Sequence, residues 1–489
     1  MLCSRRARKP PRFPCVASFV IALQDTKTGE ARLFHVSDIR PCAETVAGLL
    51  AREGAAAGRP VAVVTRSARA LTLVALAAPR LPAPVFPIDP ALPEAAIEDL
   101  LAQAGTDFLV GERPLAGARF LASEEVLAAR TSHGAAGPLW PDSAEIALIL
   151  ATSGSSGRPK AVMLSGANLH AAARASAAAA PLRAGDIWFA CLPLFHIGGF
   201  SILVRTVLAG AEALVAERFE AGAVLAALRE RQVTHLSLVP AMLAKLLATE
   251  ESPAPESLRH LILGGAALAP ELARRAAARG WPVQPSYGMS ETASQLATLA
   301  ALPPGWQAGF VGPPLTGAEV ALDGAGRLKV RGATVMAGYA NPALAPGDGL
   351  EDGWFTTSDL AEIDDCGAIT VLGRADEAIV TGGKKVMPQP VEALLATLSG
   401  IAAAGVAGRP DPIWGEVVTA VYAGTLEERA VLSWCRQNVS GAMRPRAALC
   451  VPALPVLASG KPDRSAIKRL AAGKDVVRDD ADAGGGRQR

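Results

Sequence analysis

Short apolar runs alternate with helix-length stretches through the first 150 residues. Val61–Val64 is uniformly apolar and short enough for a strand, and residues 66–78 have helical composition. Residues 84–88 read as extended, 94–104 as helical and 108–110 as a further strand. This alternation predicts right-handed βαβ units around a mostly parallel sheet. The same texture returns at 233–239 and 261–263, with an Ala- and Leu-rich helical stretch between them. Alanine raises helix propensity everywhere, so the pattern locates helices better than it locates their ends.

From about residue 315 the texture changes. Ala318–Leu322 and the stretches 327–330 and 368–371 are short and separated by Gly and Asp, which predicts a small antiparallel β-region. Beyond Asp376 a compact α+β segment follows and closes near Leu470. Residues 474–489 are low in complexity and read as disordered. The expected architecture is α/β: a large N-terminal domain over 1–375, with mostly parallel sheets, helices and a small β-region. A small α+β C-terminal domain follows over 376–470, and a tail over 471–489.

Composition narrows the class. A chain of 489 residues with 50% hydrophobic and 19% charged content has ample material for a buried core, which excludes a disulfide scaffold, a coiled coil or a wholly disordered chain. With 48 basic and 46 acidic residues the formal charge is +2, so bulk electrostatics gives no case for nucleic acid or an anionic membrane. The seven cysteines are scattered, without a CxxC pair or metal-ligand spacing, and read as reduced thiols. Apolar runs such as 73–78 and 146–151 fall far short of the ~18–20 residues that span a bilayer. Residues 1–12 are basic and the apolar run 16–23 follows, imitating a signal peptide. Ser18 interrupts that run and polar sequence follows it, so a cytoplasmic protein is expected.

The most informative stretch is 146–164. An apolar strand leads into Ala-Thr-Ser-Gly-Ser-Ser-Gly-Arg-Pro-Lys160, and a second apolar strand leaves it. Glycines let the backbone turn its N–H groups toward an anion, while Thr152, Ser153, Ser155 and Ser156 add hydroxyls and Lys160 a charge. The loop is a plausible phosphate cradle, although no G-x-x-x-x-G-K-[ST] motif occurs; the plain alternative is a Ser/Gly surface loop. Downstream, Tyr287-Gly-Met-Ser-Glu291 can present an aromatic face and a magnesium-binding carboxylate at one strand end; in isolation the plain alternative is a turn and helix start. Asp359 closes Asp352-Gly-Trp-Phe-Thr-Thr-Ser-Asp and suits a ribose diol or, plainly, solvent. Gly373-Arg-Ala-Asp376 reads in isolation as a surface ion pair, and Lys461 as a solvated charge on a Gly-flanked loop.

In order and spacing, these segments resemble the adenylate-forming superfamily of acyl- and aryl-CoA ligases, luciferases and peptide-synthetase adenylation domains, from about residue 147 to 465. Within it, Trp188-Phe-Ala-Cys-Leu-Pro-Leu-Phe-His-Ile-Gly-Gly-Phe-Ser201 and Ser286-Tyr-Gly-Met-Ser-Glu-Thr-Ala-Ser-Gln-Leu-Ala-Thr298 are most similar to 2-succinylbenzoate–CoA ligases of menaquinone biosynthesis. The resemblance implies that Thr152, Ser153, Gly154, Ser155, Ser156, Gly157 and Lys160 hold the β- and γ-phosphates of ATP. Tyr287 would stack on adenine within Ser286, Tyr287, Gly288 and Ser290, walled by Gly264, Gly265 and Ala266. Glu291 would bind Mg2+, and Asp359 and Arg374 the ribose hydroxyls. Asp376 would be the hinge of a mobile C-terminal domain, and Lys461 would bridge the α-phosphate and the acid's carboxylate. His196 would line the acyl pocket near the coenzyme A channel.

The implied chemistry is acyl-adenylate formation, then thioester formation with coenzyme A. 2-Succinylbenzoate is the favoured acid. A medium-chain or aryl acid, a carrier-protein thiol as acceptor, and a non-catalytic nucleotide-binding relative stand as alternatives. Ser358 replaces the usual Gly before the ribose-binding Asp, which is expected to tighten that loop and weaken nucleotide affinity. Ser290 keeps the hydroxyl of the usual Thr. Pro390 replaces a common Glu at a helix start, where Pro is tolerated, and Met387 replaces a common aromatic. The other histidines are too irregularly spaced for a metal site.

Overall fold

The computed structural model describes residues 33–131, 139–152, 158–457 and 460–479. Two seven-stranded sheets, both mostly parallel, form its larger part. The first runs in the order Leu33–His35, Glu212–Ala216, Ile187–Ala190, His235–Leu238, His260–Leu263, Val283–Met289 and Ser294–Thr298. Only its two outer pairings are antiparallel. The second runs Gly338–Tyr339, Lys160–Ser165, Ile146–Thr152, Val85–Pro87, Val61–Val64, Phe108–Gly111 and Arg119–Ala122. The strands predicted from the first 150 residues are therefore the parallel centre of one sheet. They are apolar throughout because helices pack on both faces: Val61, Ala62 and Val63 have no exposed surface.

Helices start where the sequence supplies a cap. The Ser67 hydroxyl accepts the Ala70 N–H ahead of Ala68–Ala77. Ser165 and Asn168 form a reciprocal capping box that opens Gly166–Ala179, a device that satisfies two orphan donors at once. Trp140, Trp188, Phe86 and Phe200 are fully buried in the cores between sheets and helices.

A five-stranded antiparallel sheet occupies the region of changed texture, ordered Phe310–Gly312, Ile369–Arg374, Phe355–Ile363, Arg327–Gly332 and Ala318–Leu322. Ser358 lies within the strand Phe355–Ile363, not in a loop, and it is absent from the positive-φ residues. A serine there costs no backbone strain, which corrects the expectation of a tightened loop. The C-terminal segment is α+β. Its long hairpin Ile401–Asp411 and Gly415–Gly424 carries further strands, and Pro388–Leu395, Glu428–Asn438 and Arg464–Ala471 supply the helices. Pro390 sits in the first turn of Pro388–Leu395, where it displaces no intrahelical bond.

The chain stays ordered past residue 470. Ala471 is buried, Val477–Arg478 pair with Ala447–Ala448 as an edge strand, and Asp479 is buried. The disorder expected from residue 471 is therefore not found over 471–479, and residues 480–489 lie outside the described residues. Cys42, Cys191, Cys366, Cys435 and Cys450 are free. Among the described residues no helix is long and apolar enough to cross a membrane.

Candidate functional site

The strand Val283–Met289 carries Tyr287 and hands the chain to a 3-10 turn, Ser290–Thr292, that presents Glu291. Two consecutive non-glycine residues after it, Ala293 and Ser294, have positive φ. They fold the chain back so closely that a Cβ on Gly288 would sit 1.6 Å from the Ser294 carbonyl oxygen; only glycine fits there. Strain of this kind persists only where its surroundings over-determine it. The Thr292 hydroxyl, bonded to Met289 and Ser294, contributes to that.

Tyr287 donates its hydroxyl to Asp359 Oδ2 at 2.5 Å. Asp359 lies directly across the strand pair from Arg374. The Arg374 guanidinium nonetheless forks onto Asp376, at 2.9 and 2.7 Å. The plain ion pair predicted for Gly373–Asp376 is therefore present, and it joins the arginine expected at the ribose to the expected hinge residue. The Ser286 and Thr298 hydroxyls are hydrogen-bonded at 2.8 Å. Ser290 begins the Glu291 turn, and Gly264 packs against the Ser286 carbonyl, so close that a Cβ would lie 3.1 Å from it.

Lys461 reaches this cleft from the C-terminal segment. Gly460, at φ +78°, packs on Val239 and Met242, and Gly265, at φ +77°, lies under the lysine stem. A Cβ on Gly265 would lie 2.9 Å from Lys461 Cε and 3.5 Å from Nζ. Asp359, Arg374, Glu291 and His196 all act on the Lys461 charge or feel it. Burial holds the Lys461 pKa below its ordinary value, and burial likewise raises those of Glu291 and Asp359. As a whole residue Lys461 is nonetheless exposed. His196 caps the helix Ile197–Ala209; burial first, then the Lys461 charge, bring its pKa down to about 4. It is therefore neutral at pH 7.

At the other side of the cleft, Lys160 opens its strand with the ammonium 4.5 Å from the ring centre of Tyr339. The Thr152 hydroxyl closes the mouth of the hairpin on the Lys160 carbonyl, at 3.3 Å. Ser153, Gly154, Ser155, Ser156 and Gly157 lie outside the described residues, as do Ala458 and Ser459. Ala266 follows the Gly264–Gly265 wall and is half-buried. Sequence reasoning missed Tyr339, and it missed Arg205. The latter is a single charge in the apolar helix Ile197–Ala209 and is 5% exposed. Among the described residues its Nε and Nη2 have no hydrogen-bond partner, and it lies over the Trp188 ring, 5.6 Å from the centre. Burial draws its pKa down to about 9, which leaves it charged at pH 7. One turn earlier, Ser201 meets Ser294 at 3.5 Å.

The donor set suits a nucleotide with magnesium. Among the described residues no cluster of three His, Cys, Asp or Glu side chains is placed to hold a metal, and Glu291 is a half-buried carboxylate that feels the charge of Asp359. Magnesium keeps several waters and takes most of its oxygens from phosphates, so one protein carboxylate is the expected complement.

A family model described as AMP-binding enzyme matches residues 4–340, and one for the AMP-binding enzyme C-terminal domain matches 390–461. The chain is 37% identical to a 2-succinylbenzoate–CoA ligase of Bacillus licheniformis, over 65% of this chain and 68% of the relative. A second such ligase, from Bacillus cereus, is 35% identical over 67% and 70%. Among solved structures, the o-succinylbenzoate coenzyme A synthetase of Bacillus subtilis in complex with AMP superposes with a TM-score of 0.80. It is 27% identical, with 90% of this chain and 94% of that one covered. The same enzyme with ATP and magnesium ion gives 0.77 at 27% identity, with 88% and 93% covered.

Proposed function

Because the chain belongs to the AMP-binding enzyme family, we propose that it is an AMP-forming acid–CoA ligase acting on 2-succinylbenzoate, a step of menaquinone biosynthesis. The observation that carries the reading is the convergence of Lys461, Glu291, Asp359 and Tyr287 on one cleft. Attack of a carboxylate oxygen on the α-phosphorus forms an O–P bond while the bond to pyrophosphate breaks. Two anions meet in that step, so Lys461 sits where charge develops and bridges the carboxylate to the α-phosphate. Magnesium, held by Glu291, supplies further neutralisation of the triphosphate when bound. Asp359 keeps one oxygen for the ribose while Tyr287 holds the other. His196, neutral beside Lys461, lines the acid's path without repelling the lysine. The coenzyme A sulfur then bonds to the acyl carbon, AMP leaves with the electron pair, and the thiol proton is lost to solvent. Lys461 has to leave the cleft for that second step, which gives the turn Ala375–Glu377 its role as hinge.

Arg205 favours 2-succinylbenzoate over a fatty acid. That acid carries two carboxylates, of which one is activated and the other must be desolvated with it. A buried charge without a partner is costly, and an incoming second carboxylate would relieve that cost. Pyrophosphate release, measured with ATP and Mg2+ against 2-succinylbenzoate and a panel of fatty and aryl acids, with and without coenzyme A, tests the reading. The expected result is a coenzyme A-dependent signal for 2-succinylbenzoate; a stronger signal for a monocarboxylic fatty acid would overturn the choice of acid.

A further inference from the structure

Tyr339 has no role in the reaction as set out above, yet it touches both halves of the triphosphate site. Its ring carries the Lys160 ammonium at 4.5 Å from the centroid, and its hydroxyl donates to Glu291 Oε1 at 3.2 Å. The two groups it joins are 131 positions apart in the chain, one opening a strand of the second sheet and the other in the 3-10 turn Ser290–Thr292. The surrounding backbone is arranged to hold the ring in that place. Tyr339 pairs with Val162 in the strand that Lys160 opens, and the Ala337 and Ala340 N–H groups clamp it to Met163 and Ala161 at 2.9 and 2.7 Å. Met336 donates its N–H to the Glu291 carbonyl at 2.8 Å, so the segment 336–339 grips Glu291 by both backbone and side chain. Gly349, at φ +81°, leaves space for the ring: a Cβ there would lie 2.5 Å from Tyr339 Cδ2.

We propose that Tyr339 is a positioning residue that sets the spacing and orientation of Lys160 and Glu291 for a magnesium–triphosphate. The hydroxyl occupies one carboxylate oxygen of Glu291 and so directs the other toward the ligand. The ring face restrains a flexible lysine by a cation–π contact weak enough to be exchanged for a phosphate. A hydrogen bond to a charged group and a cation–π contact are separable, so the two halves of the role can be tested apart.

The proposal rests on Glu291 as magnesium ligand and Lys160 as phosphate contact, and the experiment separates the two levels. ATP binding is titrated by calorimetry without the acid, in EDTA and across a Mg2+ series, for wild type, Tyr339→Phe, Tyr339→Leu and Glu291→Ala. Tyr339→Phe keeps the ring and loses the hydroxyl. It is expected to bind ATP in EDTA as wild type does while its half-saturating Mg2+ rises about tenfold. Tyr339→Leu is expected to weaken ATP binding in EDTA as well, by about threefold. In turnover, the KM for acid and for coenzyme A should stay unchanged in Tyr339→Phe. If Glu291→Ala shifts the Mg2+ dependence and Tyr339→Phe does not, the positioning role is overturned and the site reading survives. If Glu291→Ala leaves it unshifted, the site reading fails first. Loss of a cooperative thermal melt in both Tyr339 variants would assign the residue to packing and overturn the proposal.

Discussion

Single residues in this cleft have consequences that differ by measurement. Lys461, proposed to bridge the α-phosphate, carries a charge that burial already makes harder to keep. Lys461→Ala should lower adenylate formation by about a hundred- to a thousandfold, the usual loss for one preorganised donor at developing charge. Thioester formation from preformed acyl-adenylate should change far less; stopped-flow traces of the two half-reactions decide it. Gly265→Ala places a methyl 2.9 Å from Lys461 Cε and should mimic that loss in part, again in the first half-reaction only. Arg205→Met tests the acid. Removing a buried charge without hydrogen-bond partners should leave the melting temperature equal or higher, while the KM for 2-succinylbenzoate rises at least about tenfold and that for ATP stays put. A lower melting temperature with an unchanged KM would make Arg205 structural.

At the scale of elements, the central parallel strands of the first sheet carry an acid-sensitive stack. Trp188, His235 and His260 stand side by side on three adjacent strands in register. The His235–His260 ring centres are 4.6 Å apart and the Trp188–His235 centres 5.1 Å. His235 is fully buried, and burial followed by the neighbouring His260 brings its pKa to about 4. His260 and His196 move in the same direction. Between pH ~6.5, the unfolded value, and ~4, the unfolded chain takes up protons that the folded chain refuses. Stability is therefore full above that window and falls as pH drops through it. Differential scanning calorimetry should show the melting temperature falling across this range, with a shallower slope in His235→Phe. A flat profile in wild type would contradict the assignment. The carboxylate of Asp359 is shifted the other way, upward by burial, so the acid limb of kcat/KM for ATP should lie above the ordinary carboxylate range of about 4.

For the whole molecule, what the chain discloses in advance depends on range. Strand–helix alternation over 61–111 is a local property, and the structure reproduces it with shifts of one or two residues at helix ends. Lys461, Glu291 and Asp359 were nameable because each stands in a short motif. The bond from Tyr287 to Asp359 spans 72 positions, and no periodicity encodes it. Tyr339 gave no signal either, since a Gly-Tyr pair at a sheet edge acquires meaning only once Lys160 and Glu291 flank it. Arg205 was visible as a lone charge among apolar residues, but its missing hydrogen-bond partners emerge only from packing. The C-terminal tail was misjudged over its first residues because low complexity hides the Val477–Arg478 edge strand. Coupling across the molecule runs through Arg464, which forks onto Glu392 and lies 3.4 Å from Glu377 in the turn Ala375–Glu377. The loop of Lys461 is thereby tied to the turn about which the segment would swing.

The most direct test of the central claim is product identification. Purified protein is incubated with ATP, Mg2+, 2-succinylbenzoate and coenzyme A, and the products are resolved by chromatography and mass spectrometry. The account predicts AMP, pyrophosphate and the 2-succinylbenzoyl-CoA thioester in equal amounts, with the acyl-adenylate accumulating when coenzyme A is left out. ADP in place of AMP, or no thioester from any acid despite tight ATP binding, would contradict it.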